Sequence, residues 1–235
     1  MAIVKTAFNT PNVQELYNYL SINATEYFDE VTYDDSGTYP VCNCSINNQV
    51  VLAISFLSSQ SPYGDKIKIT PMNSATTTTT TFVGSSGALS NQSYIKSAYK
   101  TSKGIMLCCT SIYTLIICKN SNDETCIVVS GRISGIDSSN YKFGAVFDIM
   151  NSDTLYLIYT DTYTGTSSTM PNSFGIYNAS YISMCPVVCN SGSALPGVYL
   201  SYISPYVKSL IVGGTEIEVN NSTHYAYSGV FALSD

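Results

Sequence analysis

Eight cysteines carry the most distinctive chemistry in this 235-residue chain: Cys42, Cys44, Cys108, Cys109, Cys118, Cys126, Cys185 and Cys189. As thiolates they could hold a metal or attack a substrate; paired they could form disulfides; protonated they are small apolar side chains. Structural zinc usually shows C-x2-C twice over. The close spacings here are C-x-C, CC and C-x3-C, and the single histidine, His224, is far off in sequence. The opening MAIVKTAFNTPNVQELYNYL has no apolar leader run, so a reducing compartment without disulfides is expected. Cys108 and Cys109 end a strand-like run from Ile105, where neighbours point to opposite faces. The cysteines therefore read as buried structural thiols, with no metal and no cofactor.

Other groups offer less. Glycoside hydrolysis needs two carboxylates roughly 5–10 Å apart. Glu216/Glu218, Asp29/Glu30 and Asp34/Asp35 are the available pairs. Glu216 and Glu218 alternate with Ile217 and Val219 and read as the outward face of a hairpin. Asp34–Asp35–Ser36–Gly37 has turn composition and lacks the spaced acids and closing glutamate of a calcium loop. Asn190–Ser191–Gly192–Ser193 contains serines but no G-x-S-x-G elbow. With one histidine, most acid–base schemes lack a partner. No catalytic residue and no enzyme activity are expected.

The elements that must position these groups are mostly strands. One helix is predicted: Asn9–Thr10–Pro11 supplies a cap and a first-turn proline. Val13, Leu16, Tyr17 and Leu20 then form one apolar face at i, i+3, i+4 and i+7. After Asn23 the period becomes two. Strands are predicted at 28–33, 39–45, 49–56, 66–70, 77–83, 93–99, 105–109, 113–118, 125–130, 142–149, 155–160, 174–178, 181–188, 198–203, 209–212, 215–219 and 225–233, separated by Gly, Asn, Asp and Ser turns. Gly213–Gly214 suits a tight hairpin turn, and 150–153 joins a second hairpin. The expected fold is all-β, an antiparallel β-sandwich or jelly-roll-like body with one short N-terminal α-helix. Residues 1–23 would form an N-terminal arm and 24–235 a β-domain. The Thr/Ser-rich stretch near 163–172 is where that domain would divide into two β-subdomains.

Composition bounds the partners. Charged residues make up 11%, against roughly 25% in a typical soluble domain. The net charge is −6 with 10 Lys+Arg, so no basic stripe meets phosphates and nucleic-acid binding is not expected. The most apolar stretch, Gly104 to Cys118, is too short for a span of about 20 residues, and no membrane insertion is expected. The chain holds 20 Tyr and no Trp. Tyr pairs an apolar body with a polar tip and suits interfaces and sugar stacking. Tyr199, Tyr202, Tyr206, Tyr225 and Tyr227, with the helix face Val13, Leu16, Tyr17 and Leu20, are the candidate interaction surface.

The segment LPGVYLSYISPY, the hairpin LIVGGTEIEV and the ending HYAYSGVFALSD resemble the C-termini of small virion structural proteins of tailed bacteriophages. GIMLCCTSIYTLIICKN followed by ETCIVV is similar in style. The resemblance covers the last third of the chain and that hairpin, and supplies no functional residues. It implies a non-enzymatic β-rich building block of the tail, baseplate, neck or capsid decoration. Such a protein would be made in the host cytoplasm and would assemble with itself and with other virion proteins. The alternative is a carbohydrate- or host-receptor-binding module that reads a surface glycan through its tyrosines.

Overall fold

The computed structural model describes residues 3–9, 13–57, 64–72, 80–83, 95–109, 114–131, 141–151, 153–160, 182–189, 191–203, 215–219, 223–227 and 231–235. In chain order the elements are β1 (Val4–Ala7), α1 (Val13–Asn23), β2 (Glu30–Asp34), β3 (Val41–Ile46), β4 (Gln49–Leu57), β5 (Gly64–Ile69), β6 (Thr80–Val83), β7 (Ile95–Lys100), β8 (Gly104–Cys109) and β9 (Thr114–Lys119). They continue with β10 (Thr125–Gly131), β11 (Tyr141–Asp148), β12 (Asp153–Thr160), β13 (Ile182–Val188), β14 (Ala194–Ile203), β15 (Thr215–Val219), β16 (Thr223–Tyr227) and β17 (Phe231–Ser234).

Alternation along the strands explains how these elements stack. In β8, β9 and β10, Ile105, Leu107, Leu115, Ile117, Ile127 and Val129 share one face and one core. Their neighbours Met106, Cys108, Ile116, Cys118, Cys126 and Val128 line the other face and a second core. Apolar runs without polar interruption are therefore strands sealed on both sides. These strands sit inside a seven-stranded sheet, ordered β1-β7-β8-β9-β10-β11-β12. One face packs on the five-stranded sheet β2-β3-β4-β5-β6 and on α1; the other packs on the five-stranded sheet β13-β14-β17-β16-β15. All described pairings are antiparallel. The expected all-β antiparallel class with one short helix is what folds, and the sandwich carries a third layer. The two flanking layers come from opposite ends of the chain.

Local chemistry sets the turns. Asn47 and Asn48 both take positive φ, 50° and 62°, between β3 and β4, the twist a two-residue hairpin turn needs. Pro186 is exposed on β13, which lies at the edge of its sheet among the described strands, where a missing N–H is tolerated. The register shifts there, between Pro186 and Val188. The Asp34 carboxylate accepts the Ser36 N–H at 2.9 Å and hydroxyl at 2.6 Å, which holds its pKa below the ordinary carboxylate value. The Asp34–Gly37 segment is thus the turn its composition predicts.

The N-terminal segment is built into this body. Val13, Leu16 and Leu20 are 4%, 1% and 0% exposed and lie in the core beneath the β2–β6 sheet. Phe8 meets Tyr19 edge to face at 5.5 Å. Glu15 in the first helical turn accepts from the Asn9 N–H at 2.7 Å and side-chain amide at 3.3 Å. At the other end, Lys100 Nζ on β7 donates to the Asn23 carbonyl at 3.2 Å, a cation at the negative end of the helix dipole. β1 pairs with β7 from Val4↔Lys100 to Ala7↔Ser97. Of the two surfaces such an apolar face could dock on, its own β-domain or a neighbouring subunit, it packs on the former, with Tyr17 half-buried.

Two other expectations change. Residues 225–233, read as one strand, are parts of β16 and β17, which pair with each other through Tyr225↔Ser234 and Tyr227↔Ala232. β1 was not predicted, because Val-Lys-Thr-Ala is too short to show a period. The predicted strands 174–178 and 209–212, and the boundary near 163–172, lie outside the described residues.

Candidate functional site

Cross-strand register sets Gly104 opposite Cys118, Cys118 opposite Cys126 and Cys126 opposite Asp148. Cys118 and Cys126 face the second core, and Asp148 has the same parity as Val146, which lines that core. From the layer above, Cys189, just past β13, completes a cluster. Its Sγ is 3.7 Å from Cys126 Sγ. The two sulfurs and an Asp148 carboxylate oxygen lie within 4.8 Å of one another, and residues of these types at this spacing could hold a metal ion. Cys126, Asp148 and Cys189 are 0%, 1% and 2% exposed. Cys118 Sγ donates to the Cys126 carbonyl at 3.8 Å.

Three turns hold the cluster. In the β9–β10 turn, the buried Asn120 side chain accepts the Asn122 N–H at 2.9 Å and the Glu124 N–H at 3.0 Å, and donates to Glu124 Oε2 at 3.0 Å. Asp123 supplies the positive φ of 65° that this turn requires. After β11, the Asn151 amide bridges Glu124 Oε2 at 3.0 Å and Asp148 Oδ2 at 2.9 Å. After β13, the Cys189 N–H donates to the Ser193 carbonyl at 2.8 Å and Ser191 Oγ donates to Asp148 Oδ2 at 3.4 Å. The Ser121 N–H donates to the Ala194 carbonyl at 2.8 Å, joining the first turn to the last.

Burial makes these thiols hard to ionise. The Cys118 thiol is pushed well above its ordinary 9.0, first by desolvation and then by nearby Cys189. Cys126 moves the same way, through its hydrogen bond to Cys189 and then burial, with Asp148 adding to it. In the unfolded chain both would lose protons near pH 9. Their contribution to stability is therefore complete below that pH and falls as pH rises above it. Each such thiol removes about 1.4 kcal/mol per pH unit beyond that point. The urea midpoint of the metal-free protein should hold to about pH 8.5 and then drop, with a shallower drop in Cys118→Ala. A midpoint unchanged well into the alkaline range would contradict the burial described.

The predicted interaction residues are dispersed. Val13, Leu16 and Leu20 are buried, and Tyr17 is half-buried with its ring 5.9 Å from Tyr33. Tyr199 and Tyr225 do meet, edge to face at 5.7 Å, both half-buried. Val198 and Ala226 beside them face the second core, which puts the pair on the outer side of its sheet. Tyr202 lies on β14 opposite Ser183, and Tyr227 on β16 opposite Thr215. Tyr206 is outside the described residues. Glu216 is exposed on β15, which pairs with β16; the 209–212 strand and the Gly213–Gly214 turn of the expected hairpin lie outside the described residues.

Spacing along the chain did not expose the thiol–carboxylate cluster, because its members come from β10, β11 and the turn after β13. One signal was present: Asp148 stands in the apolar run Ala145–Ile149 at a core-facing position. Neither a protein-family model, nor a curated protein, nor a solved structure matches this chain.

Proposed function

We propose that the chain is a non-enzymatic structural component of a bacteriophage particle, assembling with itself and with other particle proteins in the host cytoplasm. One observation carries this reading: a three-layer antiparallel body, sealed through its centre, in a chain with only 11% charged residues. Such a body acts through its exterior. Contacts between weakly charged surfaces desolvate few ions on forming. Val4, at 58% exposed on edge strand β1, and Val188, at 44% on edge strand β13, offer apolar footholds at sheet edges. The phage assignment rests on the resemblance of the C-terminal third. No helix among the described residues is long and apolar enough to cross a membrane.

Sedimentation velocity tests the assembly. The purified protein should form species larger than one chain at micromolar concentration, and these should persist at high salt, because few charges are screened. A single-chain species at every concentration and salt level would overturn self-assembly.

The Tyr199–Tyr225 pair favours a second reading, a glycan-binding face on the outer sheet. A glycan-array signal lost in both Tyr199→Ala and Tyr225→Ala would select it.

A further inference from the structure

We propose that Cys126, Cys189 and Asp148 form a zinc site that fastens the central sheet to the β13–β17 sheet. Tetrahedral zinc with Zn–S bonds of about 2.3 Å sets its two sulfurs roughly 3.8 Å apart. The Cys126 and Cys189 sulfurs are already 3.7 Å apart. A disulfide would need them at about 2.05 Å; at 3.7 Å the two thiols share a hydrogen bond, and an ion replacing its proton would leave the sulfurs where they are. The third donor, an Asp148 oxygen, lies within the same 4.8 Å group.

The carboxylate points the same way. Asp148 is 1% exposed in a chain with few charges, and its donors among the described residues are neutral: the Asn151 N–H at 3.4 Å, the Asn151 amide at 2.9 Å and the Ser191 hydroxyl at 3.4 Å. Those bonds orient the carboxylate as the outer partners of a ligating carboxylate do. A divalent cation offsets its charge and converts the two neighbouring thiols into thiolates. Binding takes Zn2+, two Cys–SH and one Asp–COO−, forms two Zn–S bonds and one Zn–O bond, and releases two protons. Water completes the tetrahedron. The site is buried, so the ion enters as the layers close. Affinity rises with pH because protons leave on binding.

The test uses the full chain, purified from zinc-supplemented culture and dialysed. Elemental analysis should find about one zinc per chain. Reconstitution with Co2+ should give thiolate-to-cobalt charge transfer in the near ultraviolet and visible bands of tetrahedral cobalt. Asp148→Asn should weaken Co2+ binding at least tenfold and Cys189→Ser should abolish the charge-transfer band. Cys44→Ala, which alters a thiol in the other core, should leave both intact. The wild-type cobalt spectrum needs no variant to fold. A folded wild-type chain that takes up neither zinc nor Co2+ would overturn the proposal. So would metal held equally well by folded Cys189→Ser, or a Cys126–Cys189 disulfide in the metal-free protein as purified.

Discussion

A chain lacking residues 1–23 is expected not to fold. The deletion removes Leu16 and Leu20, which are 1% and 0% exposed, together with Val13, Tyr19 and the β1 strand that covers the edge of β7. Truncating one buried Leu to Ala costs about 2–5 kcal/mol through lost transfer energy and the cavity left behind. Losing the whole helix exposes the layer beneath it, and the sum reaches the roughly 5–15 kcal/mol by which domains are stable at all. Far-ultraviolet circular dichroism and soluble yield give the readout, and Leu20→Ala alone should lower unfolding free energy by about 3 kcal/mol. A deleted chain that keeps its β spectrum and unfolds cooperatively would mean that the helix is an appendage. The same result bears on assembly. An arm whose apolar face is occupied at home has only its outer side to give a neighbour, where Ile22 is 75% exposed.

Gly104→Ala is expected to cost about 2–4 kcal/mol, as overpacking in a close-fitted core does. An added Cβ would lie 2.6 Å from the Ile117 carbonyl oxygen, 3.3 Å from Cys118 Cβ and 3.4 Å from Leu233 Cδ1. The first neighbour is backbone, on the strand paired with β8, and cannot swing aside as a side chain would. The strand pair must open or Leu233 must retreat from the second core. Gly37→Ala serves as the reference, since its nearest neighbour in the way is the Tyr39 carbonyl oxygen at 3.8 Å. That change should stay within about 0.5 kcal/mol. Equal effects of the two substitutions in equilibrium urea unfolding would count against the close approach of β8, β9 and β17.

Most strands were legible because period two is a local property, visible in a few residues at a time. The runs in β8 to β10 announced burial, and alternation puts Leu107 and Cys108 on opposite faces, each with its own core; the Cys109 side chain lies outside the described residues. Layer number was not legible, since it depends on which sheet covers which face. The separation of β16 from β17 was missed although Ser228–Gly229 is a turn dipeptide, because apolar and aromatic residues flank it closely on both sides. Sheet order hid the cluster for the same reason: Cys126, Asp148 and Cys189 become neighbours only through strand register and layer packing, with Cys126 and Cys189 63 positions apart in the chain. The helix shows a different limit. Its apolar face was plain in Val13, Leu16 and Leu20, but periodicity does not say whether such a face is covered by its own chain or by another.

β17 occupies the middle position of its sheet, between β14 and β16, with Phe231, Ala232, Leu233 and Ser234 all buried. β17 follows both of its neighbours in the chain, so during synthesis that slot stays vacant after β14 and β16 have been made, and the underside of the central sheet stays partly uncovered with it. Nascent chains must therefore keep that apolar surface apart from one another until β17 slides in. Products that end before β17 should therefore aggregate, because the keystone follows the strands it joins.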